Sequence, residues 1–445
     1  MIASLRTLWH RSWAFVRRQR RNFKIMLVRR ALHALGFNLT SQYNSIYAVA
    51  LGANPVQLGS VLSVGNGLAA LVTVPAGWLI DRYSLKKVIL SGTVLLLLSA
   101  LCYALAPDWR LLYAGIGFLY MGMRITCTAC TVIGARELAN EERATARGLC
   151  RTVSALLTVL TPLLAAWLVK LSGGINIGGI RPLYFIQLAI FTSILVLVLR
   201  FVREPEERVA YGEKRGLHGF SEIFRGRPDL IRVLAMLALM DVPWAMVRPY
   251  MPLFAHQYKG AAEIQLAGIA VAISIAPLLF ALPLGRMADR HGRKKLLFFI
   301  APVSYLSSVL LIRSTGPLML YMAGLCFGFN SIAVALGAAM ASEIVPKEQM
   351  GRWIGLIGLV RGLVSVPAPL LGGLVWEHVG PQYVFIFAVL LDAALRLPLL
   401  ASIRETLDLS SSNKTGGKNA GSDISPAAFT GESPDPGGED SCKMQ

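Results

Sequence analysis

Charge is what this sequence has least of. Only 16% of its 445 residues are Asp, Glu, Lys or Arg, against 55% that are hydrophobic. At a mean hydropathy of +0.56, a water-soluble domain of this size would lack the polar surface to cover itself. Acidic residues are the scarcer sign, 25 against 44 basic, leaving a formal net charge of +19. Cysteine is also rare. Cys102, Cys127, Cys130, Cys150 and Cys326 lie inside or at the ends of apolar runs and only Cys442 lies outside them, which excludes a disulfide framework. The six histidines form no ligand cluster, and there is no Walker loop, zinc-binding helix or nucleophile elbow. Neither an enzyme, nor an ATP-driven pump, nor a resident metal or cofactor is expected.

Long apolar runs are what the sequence has in abundance. Twelve segments of about 20 residues, each able to cross ~30 Å of hydrocarbon, fall near 24–51, 57–80, 87–106, 110–136, 147–171, 182–201, 229–256, 264–286, 294–313, 317–342, 352–376 and 382–403. The position of the basic residues decides what the net charge means. Alternate connections hold Arg82, Lys86, Lys87, Arg136, Arg143, Arg147, the arginines and lysines of 202–228, Arg286, Arg290, Arg293, Lys294 and Lys295, whereas the other set keeps Arg110, Lys170, Arg181, Lys259 and Arg313. This asymmetry is that of a multi-pass membrane protein with both termini in the cytoplasm. The positive charge then faces anionic lipid, and nucleic acid is not expected as a partner.

Flanking segments read differently. Residues 1–23 carry six arginines among Leu5, Leu8, Trp9, Trp13 and Val16, which suits a basic amphipathic segment on the inner leaflet rather than a cleaved signal peptide. The charged stretch 202–228 reads as a cytoplasmic linker, and 404–445, rich in Ser, Gly and Pro, as a disordered tail.

Two stretches say the same thing. Residues 285–295 read GRMADRHGRKK, and 77–87 read GWLIDRYSLKK, about 208 positions earlier. Pro75, Gly77, Asp81 and Arg82 thus match Pro283, Gly285, Asp289 and Arg290. Gly122 and Arg124 match Gly328 and Asn330, and Pro162 matches Pro369, in the same order at nearly the same offset. The chain is therefore a duplication: a six-helix half over 24–201 and another over 229–403.

With these residues the chain resembles the major facilitator superfamily of transporters over roughly 24–403, because the loop signature of that family stands almost intact at Gly285, Asp289, Arg290, Gly292, Arg293 and Lys294. In the first copy Ser84 and Leu85 replace the glycine and the following arginine. The resemblance implies an all-α fold of two pseudo-symmetric six-helix bundles, a monomer, a cavity lined by spans one, four, seven and ten, and no cofactor beyond a proton gradient. It also implies that Asp81 and Asp289, with Gly77, Gly285, Arg82 and their neighbours, latch onto helix N-termini of the opposite half. An anion there meets unpaired N–H groups and the positive end of the helix dipole.

Ionisable groups at bilayer depth cost roughly 2.5–3.5 kcal/mol each, so each needs a reason. Arg124 in the fourth span is a candidate for an anionic substrate or a structural ion pair. Asp241 in the seventh is a candidate proton carrier, or is held ionised by Arg124 or by Arg248 two turns on. Asp392 and Arg396 stand at i, i+4 and are expected to pair; Arg29 and Arg30 are expected to snorkel. Asn38, Gln42, Asn44, Trp244, Arg248, Tyr250 and Asn330 are the remaining cavity candidates. Gly351, Gly355, Gly358 and Gly362 step along the eleventh span as a close-packing stripe. The expected function is a secondary transporter of a small organic solute by alternating access, with proton-coupled efflux of a drug or metabolite as the narrower reading. Proton symport or facilitated uptake of an organic anion is the alternative, and a non-transporting sensor a further one.

Overall fold

The computed structural model describes residues 18, 21–136, 143–202, 228–344 and 350–403. The linker and tail, and most of the N-terminal segment, lie outside the described residues. Twelve spans are found among those described. They run Arg21–Ser41 with Asn44–Ala50, Pro55–Arg82, Leu85–Leu105, Leu112–Arg136, Arg143–Leu171 and Ile177–Phe201 in the first half. In the second half they run Pro228–Val247 with Tyr250–Lys259, Glu263–His291, Arg293–Arg313, Pro317–Ile344, Met350–Val364 with Ala368–His378, and Tyr383–Leu391 through to Ser402. Eleven are long and apolar enough to cross a membrane. The first falls short because Arg29, Arg30, His33, Asn38 and Gln42 dilute it. Leu71, Leu278, Leu279, Leu282 and Leu318 stay more than half exposed, as side chains facing lipid do.

The duplication is visible in packing. The fourth span packs on the second and third, and the tenth on the eighth and ninth. The halves meet where the second span packs along the eleventh and the fifth along the eighth.

Three expected continuous spans are broken. The first is interrupted at Gln42–Tyr43 and the seventh at Arg248–Pro249, about 206 residues apart, so the break itself is duplicated. Pro249 has no N–H to return to the preceding turn. The eleventh breaks between Val364 and Ala368 around Pro367, and its second piece begins with an orphan donor, Leu370 N, which the Ser63 hydroxyl of the other half accepts at 3.2 Å.

The two lysine-bearing loops do more than meet lipid. Lys86 donates to Leu199 O at 2.9 Å, and Lys294, its duplicate, to Ala401 O and Ile403 O at 2.7 and 2.6 Å. Each lysine caps the C-terminal carbonyls of the last span of its own half, where cations are favoured. The departure at Ser84 is explained as well. Gly292 adopts φ +100°, a conformation that favours glycine, whereas Ser84 sits at φ −63° and uses its side chain as the N-cap of the third span.

Candidate functional site

Between the halves lies a cavity of about 370 Å³. The first span supplies Asn38, Ser41 and Gln42, and the fifth Ala155, Thr158 and Pro162. The seventh supplies Trp244, Arg248, Met251 and Pro252; the eighth and tenth complete the wall with Ile269, Ile273, Ser274, Phe327 and Ser331, among others. Both helix breaks therefore open onto it, which is how discontinuous spans in transporters present polar groups at the site.

Each wall is held locally. Arg30 Nε donates to Ser154 Oγ at 3.1 Å, Asn38 Nδ2 to Thr158 Oγ1 at 3.2 Å, and Gln42 Nε2 to Pro162 O at 3.2 Å, three rungs stapling the first span to the fifth. On the other side Trp244 and Phe327 stack with ring centroids 4.3 Å apart and planes 10° from parallel, joining spans seven and ten. Arg248 lies with its guanidinium carbon 6.0 Å from the Trp244 ring centroid.

The structure brings together Asn38, Gln42, Trp244 and Arg248 from the expected cavity residues. It separates the others. Asn44 accepts the Tyr184 hydroxyl at 2.9 Å within the first half, and neither it nor Arg124 nor Asn330 is among the residues lining this cavity. Arg124 is exposed on the fourth span, and Ser331, next to Asn330, takes the lining position in the tenth. Tyr250 is a correction: it is fully buried and its hydroxyl is shared between Pro369 O at 2.8 Å and Pro55 O at 3.1 Å, so it ties the halves together instead of facing a substrate. Arg29 is a second correction. At 4% exposed it is buried in the bundle, not snorkelling.

Asp241 is paired neither with Arg124 nor with Arg248. Its partner is Arg361 of the eleventh span, which grips both carboxylate oxygens, Nε to Oδ2 at 2.6 Å and Nη2 to Oδ1 at 2.7 Å. This two-pronged geometry is the strongest an arginine makes with a carboxylate. The side chains keep 23% and 19% of their exposure, so the pair is sheltered but not sealed. Arg361 was legible only as a charge within the glycine stripe; no spacing rule points across from one helix to another. Asp392 and Arg396 do pair, at 2.5 Å, with Tyr305 donating to the same carboxylate oxygen.

One end of the interface is shut and the other spreads. At the face away from the basic loops, Glu377 accepts from Asn54 Nδ2 at 3.3 Å and Val56 N at 3.4 Å, at the start of the second span. A Cβ placed on Gly59 would lie 2.5 Å from Pro369 O. Along the glycine stripe towards the basic loops, the same construction meets Ala70 at 3.0 Å from Gly362, Thr73 at 3.8 Å from Gly358, and nothing within 4 Å of Gly355. The buried apolar core follows suit. One cluster runs across both halves through Tyr47, Leu58, Tyr250 and Trp376, whereas Leu230, Met340, Trp353 and Leu400 belong to a cluster confined to the second half at its basic end.

Asp289 is 69% exposed and bound to Arg293 of its own loop at 3.4 Å, and a Cβ on Gly285 would meet nothing within 4 Å. Close approach at Gly285 is thus not made in this conformation. Arg82 is exposed, and the side chain of Asp81 and the surroundings of Gly77 lie outside the described residues.

A family model described as Major Facilitator Superfamily matches residues 28–273 and 233–426. The chain is 29% identical over 182 residues to the class H tetracycline resistance protein of Pasteurella multocida, covering 40% of this chain and 45% of that one. It is 27% identical over 176 residues to the class B protein of Escherichia coli, covering 43% of it, so the matches span less than half of these relatives. A multi-drug resistance efflux pump PmrA homolog of Lactococcus lactis is 22% identical over 352 residues, 77% of this chain and 85% of that one. Among solved structures, the nucleoside transporter NupG superposes with a TM-score of 0.67 at 15% identity over 85% of this chain and 98% of its own. A POT family transporter in complex with 5-aminolevulinic acid superposes at 0.68 and 13%, covering 86% and 96%.

Proposed function

The chain belongs to the major facilitator superfamily, and from that premise we propose that it exports a small organic molecule by alternating access, driven by protons through Asp241. The observation that carries the reading is the cavity between the halves, shut at the face bearing Tyr250 and Glu377 and spreading towards the basic loops. By the distribution of arginine and lysine, the basic face is cytoplasmic and both termini lie there. The structure then corresponds to an inward-facing carrier. The drug-resistance relatives support export over uptake.

Asp241 and Asp392 are the carboxylates at bilayer depth among the described spans, and Asp392 is buried at 7% exposure and held by both Arg396 and Tyr305. Asp241 is the less enclosed of the two, its side chain keeping 23% of its exposure. A proton taken up there neutralises the carboxylate and releases Arg361, so one protonation event loosens the contact between spans seven and eleven, the second of which also forms the interface between halves. In the opposite conformation Asp81 and Asp289 would reach the N-terminal ends of spans eleven and five and hold the basic face shut.

Two measurements test this. Purified protein in proteoliposomes is expected to move a drug-like substrate uphill when a pH gradient is applied and to equilibrate it without one; equal accumulation in both would remove the proton from the mechanism. Cysteines introduced at Ser84 and His291 are expected to react only with reagents that enter the cytoplasm. Labelling of either from outside intact cells would reverse the orientation and make this an outward-facing carrier.

A further inference from the structure

The cavity is chemically lopsided. Of the described residues lining it, Arg248 alone is charged, and no carboxylate faces in. Among the described residues the guanidinium has no anionic partner; its contact is with the face of Trp244. A cation on a cavity wall without a counterion is an offer to an anion, and the same charge repels an organic cation.

The opposite pole is fixed by a different argument. Gln42 is 93% buried, being 7% exposed, and its amide nitrogen donates to Pro162 O. A carbonyl can only accept, so this bond sets which way round the amide sits and leaves Oε1 as the free end. That oxygen is buried and has no partner among the described residues, in a side chain that lines the cavity. An orphaned buried acceptor calls for a donor, O–H or N–H. Gln42 and Arg248 are also duplicates of one another, each standing at the break of the first span of its half. The two-fold repeat has thus set an acceptor and a cation on opposite walls. Beside Arg248, the stacked Trp244 and Phe327 offer a flat apolar surface.

Resting on the transport reading above, we infer that the cargo is an aromatic organic anion carrying a hydrogen-bond donor remote from its anionic group. The anion sits at Arg248, the ring extends the Trp244–Phe327 stack, and the donor meets Gln42 Oε1 as the amide turns that enclosed oxygen toward the cavity. At about 370 Å³ the cavity takes one such molecule. The exported drug or metabolite is then acidic, and organic cations are disfavoured by the Arg248 charge.

The test is equilibrium binding to the full chain in detergent, read by quenching of tryptophan fluorescence, with four probes. These are a hydroxynaphthoate, its methyl ester, the naphthoate lacking the hydroxyl, and the hydroxynaphthyl compound with an ammonium group in place of the carboxylate. The hydroxynaphthoate is expected to bind at least about tenfold more tightly than each of the others, the usual worth of one charge-assisted or buried hydrogen bond. Arg248→Gln should erase its advantage over the ester while leaving the ester unchanged, and Arg248→Glu should invert the preference in favour of the ammonium. Gln42→Leu should erase the advantage of the hydroxyl alone, with melting temperature confirming that the variant is folded. Tighter binding of the ammonium by the unmodified protein, selectivity untouched by Arg248→Glu, or no binding of any probe would overturn the assignment. The outcome is separable from the transport reading. Binding with this selectivity but no pH-driven flux would sink proton coupling and leave the cargo class standing, whereas pH-driven flux of cations alone would do the reverse.

Discussion

Asp241→Asn is expected to destabilise the protein and to abolish pH-driven accumulation, and adding Arg361→Gln is expected to repair the first defect but not the second. The single change leaves a guanidinium that had held both carboxylate oxygens without an anionic partner. Stranding one member of a fully buried pair costs about 3–5 kcal/mol. Here the side chains retain 19% and 23% exposure, so the enclosure is partial and about 2 kcal/mol is the better figure. Neutralising both partners removes the stranded charge, and replacing a buried pair by neutral groups is often close to neutral in stability. The double variant is therefore the cleaner probe of coupling. If Asp241 carries the proton, this variant should exchange substrate between loaded compartments at near the normal rate while failing to concentrate it against a gradient. Continued pH-driven accumulation by a stable double variant would show that the pair only joins spans seven and eleven.

How much of this could be read beforehand depends on the range of the signal. The twelve spans and the duplication were legible because hydropathy and repetition are carried by runs of sequence. The halves match at an offset near 208 in the loops and near 206 in the fourth and tenth spans. The Asp392–Arg396 pair was legible because one helix dictates its i, i+4 spacing. Arg361 was not, since its link to Asp241 crosses from one helix to another 120 positions away, and packing alone decides it. Tyr250 misled for a related reason. A tyrosine in a cavity-forming span can turn its ring to the solute or to the neighbouring helix, and here the small residues Gly59, Gly372 and Gly373 leave the space that takes the ring and its hydroxyl. Serine stands in place of the loop glycine at position 84 without loss, because the backbone there needs no glycine.

Those same glycines yield the second large effect: Gly59→Val is expected to hold the protein open at the face away from the basic loops. Propensity alone predicts the opposite sign, because Gly in a helix interior is worse than most residues by about 0.5–1 kcal/mol and its replacement should stabilise the second span. Across the interface, however, a Cβ at Gly59 would stand 2.5 Å from Pro369 O, 2.8 Å from the Tyr250 hydroxyl oxygen and 2.9 Å from Leu370 Cα. Two of these three are backbone atoms of the other half, which no rotamer change can withdraw. The strain is relieved only if the halves separate at this end, breaking the Tyr250 bonds to Pro55 and Pro369 and the Glu377 bonds at the start of the second span. Overpacking of this kind costs about 1–3 kcal/mol, and at about 3 kcal/mol the balance between the two conformations moves by roughly a hundredfold. Spin labels at Ala50 and Val379, exposed positions on opposite halves near this end, should report a longer distance, and substrate exchange should fall in proportion. Tyr250→Phe, which loses one shared hydrogen bond worth about 1 kcal/mol and adds no bulk, should shift the same distance distribution only slightly. A Gly59→Val protein with the original label distance and normal exchange would mean that the second and eleventh spans do not part here during transport, and the outer gate would have to be sought between the fifth and eighth.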